Sequence, residues 1–209
     1  MDRVLLSFGI LAPLVYLAAD RLTGRLLKGY SFAAQSMSEL TAAGSPTRAI
    51  AVSLNVVAVG LMIVFGVGVW QVAGRAILPR IVAGLVIGNA VLSLFATLFF
   101  PNTYGVRPVF ASPGVLIMAA SVLFSVLAYL FAAAAYGGWI RVISIALPAT
   151  FVLLTIVRYA TAATPAAIAA GSMVGSQERT MAYAFFLWVM ALAVYLLALV
   201  GKGVNAPGA

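Results

Sequence analysis

The sequence predicts an all-α fold, a polytopic membrane protein built as a bundle of six transmembrane helices. Three observations predict it. The 209-residue chain is 65% hydrophobic and only 8% charged, whereas soluble domains carry about 25% charged residues. Its mean hydropathy is +1.16, and its apolar runs are each near the ~20 residues that cross ~30 Å of hydrocarbon. These runs are continuously apolar and do not alternate with a period of two, which argues against a β-barrel.

Charged residues, prolines and glycines divide the chain into six apolar spans. The first apolar run could be a signal peptide, but we expect it to be retained as the first span. Arg75 and Arg80 bracket the turn after the second span, and Pro101 stops the third. We interpret residues 1–203 as a single domain and 204–209 as a flexible tail. The spans are predicted at about 4–20, 47–72, 81–100, 113–136, 140–163 and 179–200.

Serine and threonine residues stand where helix N-caps are expected. In loop 1, which we define as residues 30–46, Ser36 and Glu39 have the spacing of a capping box. A short interfacial helix is therefore predicted there, ending at Gly44, where a residue without Cβ is favoured. Three more N-caps are predicted directly before a proline, which suits the first helical position: Ser45, Ser112 and Thr164.

Most of the chemically interesting side chains fall in the odd-numbered loops. An even number of spans places loop 1, loop 3 (residues 101–112) and loop 5 (residues 164–178) on the same side of the membrane. Their carboxylates and guanidinium groups would form a net positive patch. Arg binds planar oxyanions with two parallel hydrogen bonds, so the patch suits a phosphate or carboxylate head group. The candidate ligand-binding residues are Glu39, Arg48, Asn102, Tyr104, Arg107, Arg158, Glu178 and Arg179.

Six of these candidates also have a structural interpretation. Glu39 could serve as a helix cap and ion-pair partner, and Glu178 with Arg179 could tie loops together. Arg158 could extend to the interface from inside the fifth span. Asn102 and Tyr104 could be a turn residue and an interfacial aromatic. Within the spans, we expect Asn55 and Asn89 to bond to neighbouring helices.

Composition limits the chemistry available within this chain. The formal charge of +8 could suggest nucleic acid, but the twelve Lys and Arg residues stand singly at the ends of apolar runs. That placement is typical of membrane flanks that contact anionic lipid head groups, so membrane lipids are the expected partners. The chain has no Cys and no His, which excludes thiolate nucleophiles, a histidine base and the commonest zinc and haem ligands. We predict no catalytic residue, no metal and no cofactor.

The orientation signal is weak. The positive-inside rule counts Lys and Arg near the spans, and the two faces carry nearly equal numbers. We expect a bacterial inner (cytoplasmic) membrane with both termini in the cytoplasm. The terminal face carries Arg3, Arg75, Arg80, Arg141 and Lys202, and the opposite face Arg21, Arg25, Lys28, Arg48, Arg107 and Arg179.

Short motifs in a fixed order carry a family resemblance. They are Tyr30, Ser38-Glu39-Leu40, Gly44-Ser45-Pro46, Phe100-Pro101, Ser112-Pro113-Gly114, and Glu178-Arg179 with Trp188. In this order they resemble the bacterial six-span membrane family catalogued as domain of unknown function 998. The resemblance implies the fold and the topology, but no established reaction.

Two positions depart from the family pattern. Members of that family often have Phe-Pro-Thr-Asp after the third span, whereas Asn102-Thr103 follows Pro101 here. Many have a His early in the fourth helix, where this chain reads Gly-Val-Leu-Ile-Met at 114–118. An activity that depends on that acid and that His would be lost in this chain.

Three functions stay open. The first is binding the head group of an anionic lipid or amphiphile at the face formed by loops 1, 3 and 5, with its tail between the helices. The second is a structural or accessory subunit packed against other membrane-protein subunits. The third, an intramembrane lipid-modifying enzyme, is weakest because carboxylates would have to act without an activating His. Arg residues converging on a cavity would favour the first, and Arg residues facing outward the second.

Overall fold

The regular structure of this chain is helical. A computed structural model describes residues 2–106, 112–162 and 174–203, with the backbone alone at 154, 155, 157–162 and 174. This part of the chain contains no strand, only an isolated bridge between Ala43 and Thr103, so the predicted all-α fold is confirmed. The helices are α1 (Asp2–Leu26), α2 (Arg48–Val72), α3 (Ile77–Phe99), α4 (Pro113–Ala135), α5 (Gly138–Ala162) and α6 (Val174–Gly201).

Five of these helices, α1 to α4 and α6, are long and apolar enough to cross a membrane. In α5, the described stretch Gly138–Leu153 is apolar but shorter. With several apolar helices of spanning length, the chain is a multi-pass membrane protein.

Three helix ends differ from the predicted spans by four or more residues. Helix α1 continues to Leu26 instead of ending near residue 20, because Asp20 is buried against the protein and does not mark a water boundary. Helix α3 begins at Ile77, since Pro79 fits the first turn, where few amides have helical partners. Helix α6 begins at Val174, five residues before the predicted start at 179.

The predicted caps are placed as follows. Ser36 is an N-cap with the reciprocal capping box to Glu39, but the helix it begins is a single 3-10 turn, Met37–Glu39. Ser112 is the N-cap residue of α4, without a side-chain cap bond. Ser45 does not cap α2: the N-cap is Thr47, whose hydroxyl lies 3.1 Å from that of Ser45. Thr164 lies outside the described residues.

The six helices of the described ranges form a ring in chain order. Each helix packs against the next, and α6 closes the ring by packing against both α5 and α1. The fully buried Trp188 of α6 donates its indole N–H to Ser144 Oγ of α5 at 2.9 Å. Close approach of α1 to α2 depends on Gly68, where a Cβ would lie 2.8 Å from Leu5 Cβ. The packing leaves a central cavity.

Candidate functional site

Loop 1 covers one end of the ring and is bonded there to loop 3 and α6. Ala43 donates its amide to Asn102 O at 2.7 Å, and Tyr104 donates its amide to Ala43 O at 3.0 Å. The Asn102 side chain donates to Ser38 Oγ at 3.0 Å, and Ser176 of α6 donates its amide to Ala33 O at 3.0 Å. The structure therefore brings loop 1, the described part of loop 3 and the start of α6 to the same end of the bundle.

A buried ion pair between Asp20 and Arg179 joins α1 to α6 beneath loop 1. Arg179 donates from Nε to Asp20 Oδ2 at 3.0 Å and from Nη2 to Oδ1 at 2.9 Å. The two side chains are only 2% and 7% exposed, Asp20 being the more buried. Such a bidentate, charge-assisted pair fixes both distance and orientation.

The other donors of Arg179 hold loop 1. Its Nη1 donates to Phe32 O at 2.7 Å and to Gln35 O at 3.0 Å. Its Nη2 donates to Tyr30 Oη at 2.6 Å. Since all its nitrogens bond to protein acceptors, Arg179 links loop 1 to two helices.

Tyrosines complete this buried network. Tyr30 Oη donates to Ser36 O at 2.7 Å, and burial raises the pKa of Tyr30 to about 12. On the helix side, Tyr183 Oη donates to Asp20 Oδ2. Asp20 therefore accepts bonds from both Arg179 and Tyr183.

Two half-buried carboxylates hold the backbone of loop 1. Glu178 accepts the amide of Met37 at 2.7 Å, at the start of the 3-10 turn. Glu39 accepts Gln35 Nε2 at 2.8 Å and the Ser36 amide at 3.4 Å. Neither carboxylate forms an ion pair with any residue in the described ranges.

The cavity lies beneath loop 1 and extends into the middle of the ring. Its volume is about 1180 Å³. At the loop end its lining is polar and includes Gln35, Ser36, Ser38, Glu39, Asn102 and Glu178. Toward the middle of the bundle it becomes apolar and aromatic, with Met62, Tyr129, Leu147, Phe151 and Phe185. The lining is thus amphipathic along the bundle axis.

One wall of the cavity also carries neutral polar groups inside the bundle. Thr97 of α3 donates to Ser93 O at 2.9 Å, so its oxygen accepts Asn55 Nδ2 of α2 at 3.3 Å. The same arrangement joins α3 to α4, where Asn89 Nδ2 donates to Ser125 Oγ at 3.2 Å. The prediction that Asn55 and Asn89 bond to neighbouring helices is confirmed.

The predicted site residues fall into four groups. Glu39, Asn102 and Glu178 line the cavity. Arg179 forms the link between loop 1, α1 and α6 that is described above. Arg48 donates to Thr41 O, and Tyr104 is exposed at loop 3; neither lines the cavity. Arg107 lies outside the described residues, and of Arg158 only the α5 backbone is described.

The predicted net positive patch is absent from the described lining, because Arg179 bonds to Asp20 and loop 1 and the charged groups that line the cavity are carboxylates. Asp20, Glu39 and Glu178 line the cavity, and no Lys or Arg is among the described lining residues. The carboxylates can accept hydrogen bonds from a ligand hydroxyl or ammonium group. Within the part of the chain that the structure describes, no three His, Cys, Asp or Glu side chains gather where they could hold a metal ion.

Sequence reasoning missed Asp20, Tyr30 and Tyr183 as members of the network. The predicted first span, 4–20, ends at Asp20 and so places this acid at the end of the helix, and Tyr30 belongs only to a family motif. The available signal was that an acid within an apolar segment needs a partner. The choice of Arg179, 159 residues away, was not visible in local sequence.

A ring of apolar helices around an amphipathic cavity, with a polar loop bonded over one end, defines a polytopic α-helical membrane protein. A family model described as "Protein of unknown function (DUF998)" matches residues 10–195. The chain belongs to this family, which confirms the resemblance predicted from its motifs. Comparison with curated proteins and comparison with solved structures each gave no match.

Proposed function

We propose that this membrane protein binds an amphiphilic molecule in its central cavity. The polar head group would lie beneath loop 1, against Glu39, Asn102 and Glu178, and the apolar chain would lie among the aromatic side chains of the bundle. The observation that carries the proposal is the change of the lining from polar to apolar along one continuous cavity. Sites for small molecules are typically apolar with a few placed polar groups, and this cavity has its carboxylates at the loop end and its aromatic side chains toward the middle of the bundle.

The cavity volume supports a ligand larger than a typical metabolite. Pockets for drug-sized ligands occupy roughly 300–1,000 Å³, and this cavity measures about 1180 Å³. The wall that carries Asn55 and Asn89 lies inside the bundle. Hydrogen-bonding groups of the ligand that follow its head group would contact this wall. Ester, amide or hydroxyl groups of a lipid have this chemistry.

The head group that the described lining favours is a hydrogen-bond donor. The charged lining groups are carboxylates, and these attract a hydroxylated or cationic head group. An anionic head group is the alternative and would depend on Arg107 and Arg158. Identification of the bound head group distinguishes the two directly.

The proposal includes six membrane crossings, with α5 as the crossing beyond the five long apolar helices. An even count places both termini on one side of the membrane, and loops 1, 3 and 5 on the other. We propose the bacterial inner membrane with cytoplasmic termini. Cysteine-accessibility labelling from each side tests this topology, since the native chain has no Cys.

Occupancy of the cavity can be tested by filling it. Val122 of α4 lines the cavity, whereas its neighbour Leu123 is 55% exposed on the outer surface. Val122→Trp should remove a co-purifying amphiphile that native mass spectrometry detects in the wild type, and Leu123→Trp should retain it. The mass and fragmentation of the released molecule give its head group.

Two results would contradict the proposal. One is an unchanged bound molecule in Val122→Trp, which would place that molecule outside the cavity. The other is a wild-type protein that carries no amphiphile but forms a stable complex with other chains, which would favour the accessory-subunit function.

A further inference from the structure

A second, smaller cavity lies outside the ring, in a groove between α1, α6 and loop 1. Its volume is about 360 Å³. We call it the Arg21 groove, and the residues that define it are Arg21, Phe32, Ser176, Arg179, Thr180 and Tyr183. It shares none of the residues on which the amphiphile proposal depends.

Arg21 is held in this groove by aromatic rings. Its guanidinium carbon lies 5.1 Å from the centroid of the Phe32 ring and 5.8 Å from that of Tyr183. These are cation–π distances, which orient the guanidinium without neutralising it. The side chain is exposed, and Arg21 forms no ion pair with a residue in the described ranges.

The groove keeps a net positive charge. The nearest acid in sequence is Asp20, but its two oxygens bond to Arg179 and Tyr183 inside the bundle. Its negative charge therefore balances that of Arg179. The Arg179 guanidinium carbon lies 4.9 Å from the centroid of the Phe32 ring, so this ring is near two cations. Since Asp20 balances the charge of Arg179, the positive charge of Arg21 is left unbalanced.

The surfaces next to the groove suit acyl chains. Arg21 lies about one turn and a half from the C-terminal end of α1, at Leu26. Further into the span, α1 exposes Leu14 and Leu11, seven and ten residues before Arg21. On α6, Leu187 and Val194 are exposed at steps of seven residues after Thr180, so apolar stripes of both helices continue from the groove.

We propose that the Arg21 groove binds the phosphate of an anionic phospholipid from the surrounding bilayer. The guanidinium would donate to two phosphate oxygens, and Ser176, which lines the same groove, would donate its hydroxyl. Charge complementarity and the adjacent apolar stripes together select a lipid. A soluble phosphate would use only the first of these features.

The test measures lipid affinity of the full chain in detergent. Phosphatidylglycerol and phosphatidylcholine are titrated separately, and bound lipid is counted by native mass spectrometry. The wild type should bind phosphatidylglycerol preferentially, and Arg21→Gln should weaken that binding on the order of tenfold, as expected for loss of a charged hydrogen bond. The matched control is Arg25→Gln, which removes the same charge from an exposed position of α1 outside the groove.

Three results would overturn the proposal. Equal losses in Arg21→Gln and Arg25→Gln would show attraction by diffuse surface charge alone. Displacement of the lipid by millimolar inorganic phosphate would show that the acyl chains contribute nothing to selection. An unchanged affinity in Arg21→Gln would remove Arg21 from the site. The cavity variant Val122→Trp should leave this affinity intact, so the two proposed sites fail or succeed separately.

Discussion

Replacing Asp20 by Asn removes the charge that faces Arg179 while keeping the shape of the side chain. Removing one partner of a buried ion pair typically costs about 3–5 kcal/mol, because the other charge stays buried without compensation. Here Arg179 keeps its bonds to Phe32 O and Gln35 O, and the Asn carbonyl still accepts one hydrogen bond. We therefore expect the lower end, a loss of about 3 kcal/mol in the free energy of unfolding.

Reversible unfolding in mixed detergent micelles, followed by circular dichroism, measures this loss. Asp2→Asn is the control, since Asp2 is exposed at the start of α1 and should give no measurable change. A double-mutant cycle with Arg179→Gln isolates the pair, and a coupling on the order of 2 kcal/mol is expected for contacting residues. Additive effects of the two substitutions, or an unchanged stability in Asp20→Asn, would refute the structural role assigned to the pair.

Two further predictions concern helix packing and pH. Gly68→Ala should destabilise the bundle by about 1–3 kcal/mol, because the new Cβ would lie 2.8 Å from Leu5 Cβ. The control is Gly60→Ala on the same helix, where a new Cβ has nothing within 4 Å and should be neutral. Equal unfolding free energies of the two variants would contradict the close α1–α2 contact. Because the pKa of Tyr30 is raised from 10.0 to about 12, the unfolded chain releases this proton first, so stability should fall as pH rises from 10 toward 12. Tyr30→Phe should lose less stability across that interval than the wild type does, and parallel stability–pH curves would show that Tyr30 is not the group responsible.

The helices could be predicted because the sequence of each is a continuous apolar run. Their ends were harder to predict, since a charge can mark either the water boundary or a buried pair. Asp20 is an example of the second case, since it forms a buried pair with Arg179. At α6 the polar Ser-Gln-Glu sequence at 176–178 is typical of a loop, yet its residues are helical, and Glu178 bonds to loop 1 from within the helix.

The candidate site could be predicted only in part. Chain topology alone was enough to predict that Glu39, Asn102 and Glu178 share one end of the bundle. Their orientation was not predictable, because it depends on which acceptor each donor reaches after folding. Arg179 shows this most clearly: its charge suggested a ligand, but the carbonyls of loop 1 and the carboxylate of Asp20 surround it.

The Asp20–Arg179 pair also has a consequence for biosynthesis. Asp20 is translated 159 residues before Arg179. At a translation rate of roughly 5–20 residues per second, Arg179 is synthesised on the order of ten to thirty seconds after Asp20. During that interval the nascent chain holds an uncompensated acidic group near the end of its first helix, so the ring cannot close until the last helix is made. A chain truncated before α6 should therefore be a substrate for membrane quality-control proteolysis, even though its first five helices are complete.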